Sequence, residues 1–281
     1  MPLPNWVKSH LKDIKKTQNY LKARKLNTVC ETLRCPNRTL CYSKPTATFM
    51  ILGNICTRGC KFCNAEFSIP EPVDLEEPKR IAEAVRELSL RYVVITSPTR
   101  DDLPDGGAQH FVNTVFKIKR ENPRTLIEVL VPDFSGNRDS VEAVVNSEIA
   151  VFAHNIETVK RFYNTVRKGD YERSLSLIKW AKQIRKDIFI KSGFMVGLGE
   201  TYEEILETLR DLRDASCDIV TIGQYLQPSK KALPVVEYIK PEVFNEIALL
   251  AKEIGFKAVL SGPLIRSSTQ AYEIYISLKG G

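Results

Sequence analysis

Two rhythms of apolar residues alternate along most of this chain. Short apolar runs, rich in Val, Ile, Phe and Thr, fall at 48–52, 92–96, 126–131, 149–153, 188–195, 219–224 and 257–260. Between them lie longer stretches whose apolar positions recur every three or four residues, at 78–89, 108–121, 139–146, 171–185, 202–215 and 241–254. The first rhythm predicts strands buried on both faces, the second amphipathic helices. Regular alternation of the two predicts an α/β protein with a parallel sheet and covering helices. Six strands suit a partial (β/α)6 TIM-type barrel, with 257–260 as a final C-terminal strand. In such barrels the chemistry sits at the C-terminal ends of the strands. The loop that follows the first strand is therefore the first place to look for function.

Composition narrows the class. A chain of 281 residues, 43% hydrophobic, can bury one large core. We divide it into an N-terminal extension (1–45), the barrel (46–255) and a C-terminal extension (256–281). No stretch approaches the roughly 20 apolar residues of a membrane span, and the Lys-rich segment from Met1 to Arg24 has no apolar signal core. The expectation is a soluble, cytoplasmic protein without a membrane partner. The excess of 41 basic over 34 acidic side chains gives +7, mild attraction for an acidic partner. Its charges are interspersed with Asp and Glu and lack an aromatic platform, which disfavours nucleic acid and leaves an acidic protein domain. Two motifs are set aside. Gly197-Leu-Gly199-Glu-Thr-Tyr202 lacks the third glycine of a dinucleotide loop, and Asp101-Asp102-Leu-Pro-Asp105-Gly106 lacks the closing Glu of a calcium loop.

The cysteines carry the chemistry. Six of seven fall in two triplets, Cys30-x4-Cys35-x5-Cys41 and Cys56-x3-Cys60-x2-Cys63, and Cys217 stands apart as a buried, inert thiol. Without a secretion signal, such clustering points to metal rather than disulfides. Structural zinc is the alternative, yet only Cys60 and Cys63 show the usual zinc spacing. Three thiolates on one short loop can instead hold three irons of a 4Fe–4S cube and leave the fourth open to a ligand. His10, His110 and His154 offer no metal-ligand pattern.

The second triplet, with Phe62 before its last cysteine and an apolar strand upstream, resembles the signature of the radical S-adenosylmethionine superfamily. Together with the first triplet it resembles the lipoyl synthases. Ordered blocks extend the similarity: Ala47-Thr-Phe-Met-Ile-Leu-Gly53, Arg100-Asp-Asp-Leu-Pro-Asp-Gly-Gly107, His154-Asn-Ile-Glu-Thr-Val159, Lys191-Ser-Gly-Phe-Met-Val-Gly-Leu-Gly-Glu-Thr201, Thr221-Ile-Gly-Gln-Tyr-Leu-Gln-Pro-Ser229 and Arg266-Ser267-Ser268. Thr269, where the family usually has Tyr, and Ala232, where it commonly has His, depart from the pattern.

The resemblance implies a barrel of the radical S-adenosylmethionine kind and two 4Fe–4S clusters. Cys56, Cys60 and Cys63 would hold the radical-generating cluster; Cys30, Cys35, Cys41 and Ser268 would hold an auxiliary cluster that is consumed as the sulfur source. It implies S-adenosylmethionine contacts at Phe62, Ser97, Asp101, Asn155, Glu157 and Met195, and a substrate contact at Arg266. The implied reaction inserts two sulfur atoms, at C6 and C8 of an octanoyl group on a lysine of a carrier domain. The implied partners are octanoylated lipoyl carrier domains, in the E2 subunits of 2-oxoacid dehydrogenases or the glycine cleavage H protein, and a low-potential electron donor such as ferredoxin or flavodoxin. Another radical sulfur-inserting enzyme of the biotin synthase kind is the nearest enzymatic alternative; a non-catalytic zinc-binding module is the other.

Overall fold

A computed structural model describes residues 19–32, 35, 37 and 46–280. Its main sheet has eight strands in the order β1-β2-β5-β6-β7-β8-β9-β10. These are β1 (Asn27–Thr28), β2 (Thr46–Met50), β5 (Tyr92–Thr96), β6 (Leu126–Leu130), β7 (Val151–Ala153), β8 (Phe189–Val196), β9 (Ile219–Gln224) and β10 (Ala258–Gly262). Two more, β3 (Ile55–Cys56) and β4 (Glu66–Phe67), pair only with each other. From β2 onward all neighbours in the sheet are parallel, and β1 joins its edge antiparallel.

The helices are α1 (Val29–Thr32), α2 (Glu77–Glu87), α3 (Ala108–Glu121), α4 (Arg138–Val145), α5 (Tyr171–Ile184), α6 (Tyr202–Asp214), α7 (Pro241–Ile254) and α8 (Ala271–Lys279). Local sequence explains where several begin. Thr201 and Glu204 form a reciprocal capping box at α6, Asp170 caps α5 and Asn137 caps α4. The helix α7 carries proline in its first turn and ends on Gly255 at φ +103°.

Strand residues divide by parity between two cores. Val93, Ile95, Ile127, Val129, Phe152, Ile190, Val220 and Ile222 belong to one large cluster with apolar residues of α2 to α7. The alternate residues face inward. Tyr92, Val94, Leu126 and Leu130 meet Ala271, Tyr272 and Tyr275 of α8, and Val151, Phe189, Ile219 and Ala258 meet Ile274, Tyr275 and Leu278. Most of these inner residues open their strands, so α8 fills the lumen at the N-terminal ends of the strands. Burial on both faces explains the continuous apolar runs in the sequence.

The partial barrel expected from the sequence is therefore the fold observed, with the final strand expected at 257–260 found as β10; the helix in the lumen and the edge strand β1 were not expected. The segment 256–281 supplies the last strand of the sheet and the helix inside its lumen. The N-terminal extension adds the edge strand β1.

Candidate active site

Just beyond β2, Leu52 and Gly53 adopt positive φ values of 64° and 84°, turning the chain out of the sheet. Leu52 is unfavourable there and is held from both sides. Its N–H donates to Glu77 Oε2 at 2.8 Å, and its carbonyl accepts from Arg100 Nη1 at 3.1 Å. Glu77 is in turn 2.9 Å from His110 Nε2, so this buried histidine braces a turn.

The loop so launched carries Cys56, Cys60 and Cys63. Each sulfur accepts a backbone N–H: Cys56 from Arg58 at 3.4 Å, Cys63 from Ala65 at 3.4 Å, and Cys60 from Lys168 at 3.3 Å. Such bonds favour a thiolate. Burial acts the other way, raising Cys60 and pushing Cys63 up to about 12. Without metal these two thiols hold their protons at neutral pH, and a bound cation would have to displace them. Among the described residues no group of three Cys, His, Asp or Glu side chains is gathered tightly enough for one metal ion. A cluster asks for something different, because each thiolate binds a separate iron at its own corner.

A cavity of about 550 Å³ opens at the C-terminal ends of the strands, and Cys56, Cys60 and Cys63 line it. So do Cys30 and Cys35 from the N-terminal segment and Ser268 from the C-terminal tail, joining positions more than two hundred residues apart. Asn37 Nδ2 ties the two segments, donating to Leu264 O at 2.6 Å. Gly223 is required where the tail crosses β9, since a Cβ there would strike Ile265 O and Arg266 Nη1. Arg266 lines the cavity, donates to Ile265 O, and has its pKa lowered by burial, with Cys35 opposing the shift. Cys41 lies outside the described residues.

Of the expected cofactor contacts, Phe62, Ser97, Asn155, Glu157 and Met195 all line the cavity. Ser97 Oγ is buried without a hydrogen-bond partner, and burial raises the Glu157 pKa. Gly193 leaves open a space that a Cβ would fill against Thr221 and Asn155.

Asp101 is the exception. It lies outside the cavity lining, with both oxygens engaged by Arg58 at 2.7 Å and Oδ1 also accepting from Ser135 Oγ. The sequence placed it correctly after β5 but could not show that its carboxylate is already taken. Asp105 in the same acidic run bonds the N–H groups of Gly107 and Gln109 at the start of α3.

Sequence reasoning missed Arg58. Its guanidinium joins the cysteine loop to Asp101 and to Asp133, which follows β6. Burial opposes ionisation of Asp133, but the Arg58 hydrogen bonds outweigh it and hold the carboxyl down at about 2. Also missed was Arg167, buried in the cavity wall against Asn155 O, Tyr163 Oη and His154 Nε2. An arginine between two cysteines and an Arg-Lys pair in a loop give no signal until the fold brings their partners together.

The sequence profile of the Radical SAM superfamily matches residues 50–212. A lipoyl synthase of Caldicellulosiruptor saccharolyticus is 54% identical over 274 residues, covering 96% of each chain. Those of Caldanaerobacter subterraneus and Aquifex aeolicus are 51% and 48% identical, covering 99% and 95% of this chain and 98% of their own. This chain belongs to the lipoyl synthase family.

Among solved structures, the FeFe-hydrogenase maturase HydG of Carboxydothermus hydrogenoformans superposes with a TM-score of 0.59, covering 98% of this chain and 79% of its own at 15% identity. Methylornithine synthase gives 0.56 over 79% of this chain and 73% of its own, also at 15% identity. At such identity these neighbours speak for the fold alone.

A lipoyl synthase is an enzyme that works with S-adenosylmethionine and iron–sulfur chemistry, and the cavity's donors suit both. Three thiols on one loop, each steadied by an N–H, match an iron–sulfur site with an open corner. The orphaned Ser97 hydroxyl and the space at Gly193 match a polar small molecule beside it.

Proposed function

We propose that this cavity performs the family's reaction, radical insertion of two sulfur atoms at C6 and C8 of an octanoyl group on a lysine of a lipoyl carrier domain. The observation that carries the reading is one cavity lined by Cys56, Cys60 and Cys63 together with Cys30, Cys35 and Ser268. A sulfur source must lie beside the place where hydrogen is removed.

Cys56, Cys60 and Cys63 are assigned to a 4Fe–4S cluster with an open iron; Cys30, Cys35, Cys41 and Ser268 are assigned to a second. When bound, the first supplies a 5′-deoxyadenosyl radical from S-adenosylmethionine and the second supplies sulfur, chemistry that no side chain here can perform on unactivated carbon. The protein's own work is placement. The unpaired Ser97 hydroxyl would bind the polar end of the methionine portion, and Asn155 and Glu157 the ribose. Gly193 would admit the adenine edge, with the Phe62 backbone and Met195 beside it. Arg266 borders the octanoyl-lysine arm. Ser268 offers a hard oxygen donor, a poor match for cluster iron and therefore an exchangeable one.

On this reading the N-terminal segment to residue 45 and the tail from 256 are the parts that bring the second donor set to the barrel 46–255. The partners are octanoylated carrier domains and a low-potential electron donor, in the cytoplasm.

The test is anaerobic incubation of reconstituted protein with S-adenosylmethionine, reductant and an octanoylated carrier domain, followed by mass analysis of the carrier. Gain of two sulfur atoms is expected; a carrier of unchanged mass would refute the reading. Ser268→Ala should still release 5′-deoxyadenosine while transferring little sulfur, and unchanged transfer would remove Ser268 from the assignment.

A further inference from the structure

Each turnover of the proposed reaction needs electrons from outside, so some part of the surface has to receive an electron donor close to Cys56, Cys60 and Cys63. Three loops meet just outside Cys60. The Lys61 N–H donates to Val166 O at 2.9 Å, Leu233 N–H donates to Lys61 O at 3.0 Å, and Lys168 N–H donates to Cys60 Sγ at 3.3 Å. Four exposed cations stand at this junction, Lys61 and Lys168, with Lys230 and Lys231 in the turn just before Leu233, beside the exposed Asn164, Thr165, Asp170 and Pro234.

None of the four lysines pairs with a carboxylate among the described residues. Lys160 and Arg161, nearby in sequence, are by contrast committed to Glu172 and Glu204. Beside the junction lies an open groove of about 380 Å³ lined by Arg58, Arg167, Lys168 and Arg173 with Asn164 and Gly169. Asp101 and Asp133 offset part of this charge through Arg58, leaving the groove cationic.

We infer that this lysine collar is the docking surface for an acidic one-electron carrier protein. The inference rests on the proposed function for its need of electrons. Positive potential steers an acidic partner to the site, and unpaired lysines are free to meet its carboxylates. One residue, Lys168, separates solvent from a hydrogen bond to the Cys60 sulfur, which gives a short route inward. The collar's backbone hydrogen bonds run to Cys60 and its loop, the donor set assigned to the cluster that has to be reduced. That favours an electron donor over the carrier domain, whose arm must reach the sulfur source.

The experiment compares reduced flavodoxin, an acidic protein donor, with dithionite, a small one that needs no docking surface. Wild-type holoenzyme and a variant carrying Lys61→Glu, Lys230→Glu and Lys231→Glu are used, matched for iron content. Flavodoxin binding is measured by titration at low and high salt, and cluster reduction is followed by absorbance before any octanoyl substrate is added. Its result therefore stands whether or not sulfur insertion follows.

Wild-type binding should weaken with salt. In the variant, flavodoxin should bind and reduce the cluster about tenfold less well or worse, with reduction by dithionite unchanged. Equal flavodoxin rates in the two proteins would overturn the inference, as would equal slowing with both donors. So would a raised KM for the octanoylated carrier domain in dithionite-driven turnover, which would give the collar to the carrier instead.

Discussion

The residues around the cavity mouth fix charges that the chemistry has to live with. His154 is buried, with Nδ1 2.8 Å from Val131 O and Nε2 3.1 Å from Ser174 Oγ; burial first, then the neighbouring Arg167, push its pKa down to about 3. Between that value and the 6.5 of a free histidine the unfolded chain binds a proton that the folded chain refuses. Stability should therefore fall as pH drops below about 6.5, by up to about 1.4 kcal/mol per pH unit from this group. Denaturant melts of His154→Gln across that range should show a shallower slope.

Arg58 carries a different load. Its side chain is 12% exposed and its partner Asp133 fully buried, so Arg58→Ala leaves a carboxylate that Arg173, 3.4 Å away, only partly compensates. A loss of about 3 kcal/mol is expected by equilibrium denaturation. Arg58→Lys should recover only part of it, because a single ammonium cannot reproduce the fork to Asp101 and Asp133. Arg58 was illegible in the sequence because its partners lie on two later loops. That Phe62 and Ser97 line the cavity was legible, because Phe62 sits in the cysteine motif and Ser97 directly follows a strand with a strong apolar run.

At the scale of elements, the helix α8 links the bottom of the lumen to the cavity at its top. Tyr275 packs 6.4 Å from the ring of Tyr92 and 5.9 Å from that of Phe189, and the last cavity-lining residue of the tail, Thr269, stands only two residues before α8 begins at Ala271. Gln270 makes that passage in the left-handed region at φ +51°. Removing the aromatic anchor by Tyr275→Ala should cost about 2 kcal/mol and let the tail move. The expected signature is a split, with sulfur insertion falling further than 5′-deoxyadenosine release. Equal losses of both would mean that α8 supports the barrel as a whole and not the tail. The strands and the helices α2 to α7 were readable because their apolar periodicities are strong. The helix α8 was not, since its apolar residues face a lumen on several sides and give no clean stripe.

For the whole molecule, the proposed division of labour makes a claim about metal content. Reconstituted wild-type protein should contain about eight irons per chain if both cysteine sets hold 4Fe–4S clusters. Replacing Cys56, Cys60 and Cys63 by Ala should leave about half the iron and abolish S-adenosylmethionine cleavage. Replacing Cys30, Cys35 and Cys41 should also leave about half, but spare the cleavage. Iron analysis with product assay separates these outcomes, and zinc without iron would sink both assignments.

The sequence by itself determined the barrel, through apolar rhythms that only a doubly covered parallel sheet satisfies, and the family, through motifs whose residues are neighbours in the chain. Tertiary structure alone decided which distant groups share a space. It brought Cys30, Cys35 and Ser268 to one cavity with Cys56, Cys60 and Cys63, gave Asp101 to Arg58, and filled the lumen with α8. The physical reason is that periodicity and spacing record local geometry, whereas a cavity wall or an ion pair depends on where separate strands end relative to one another. That relation is set by the sheet's order and register, which no single stretch of the chain contains.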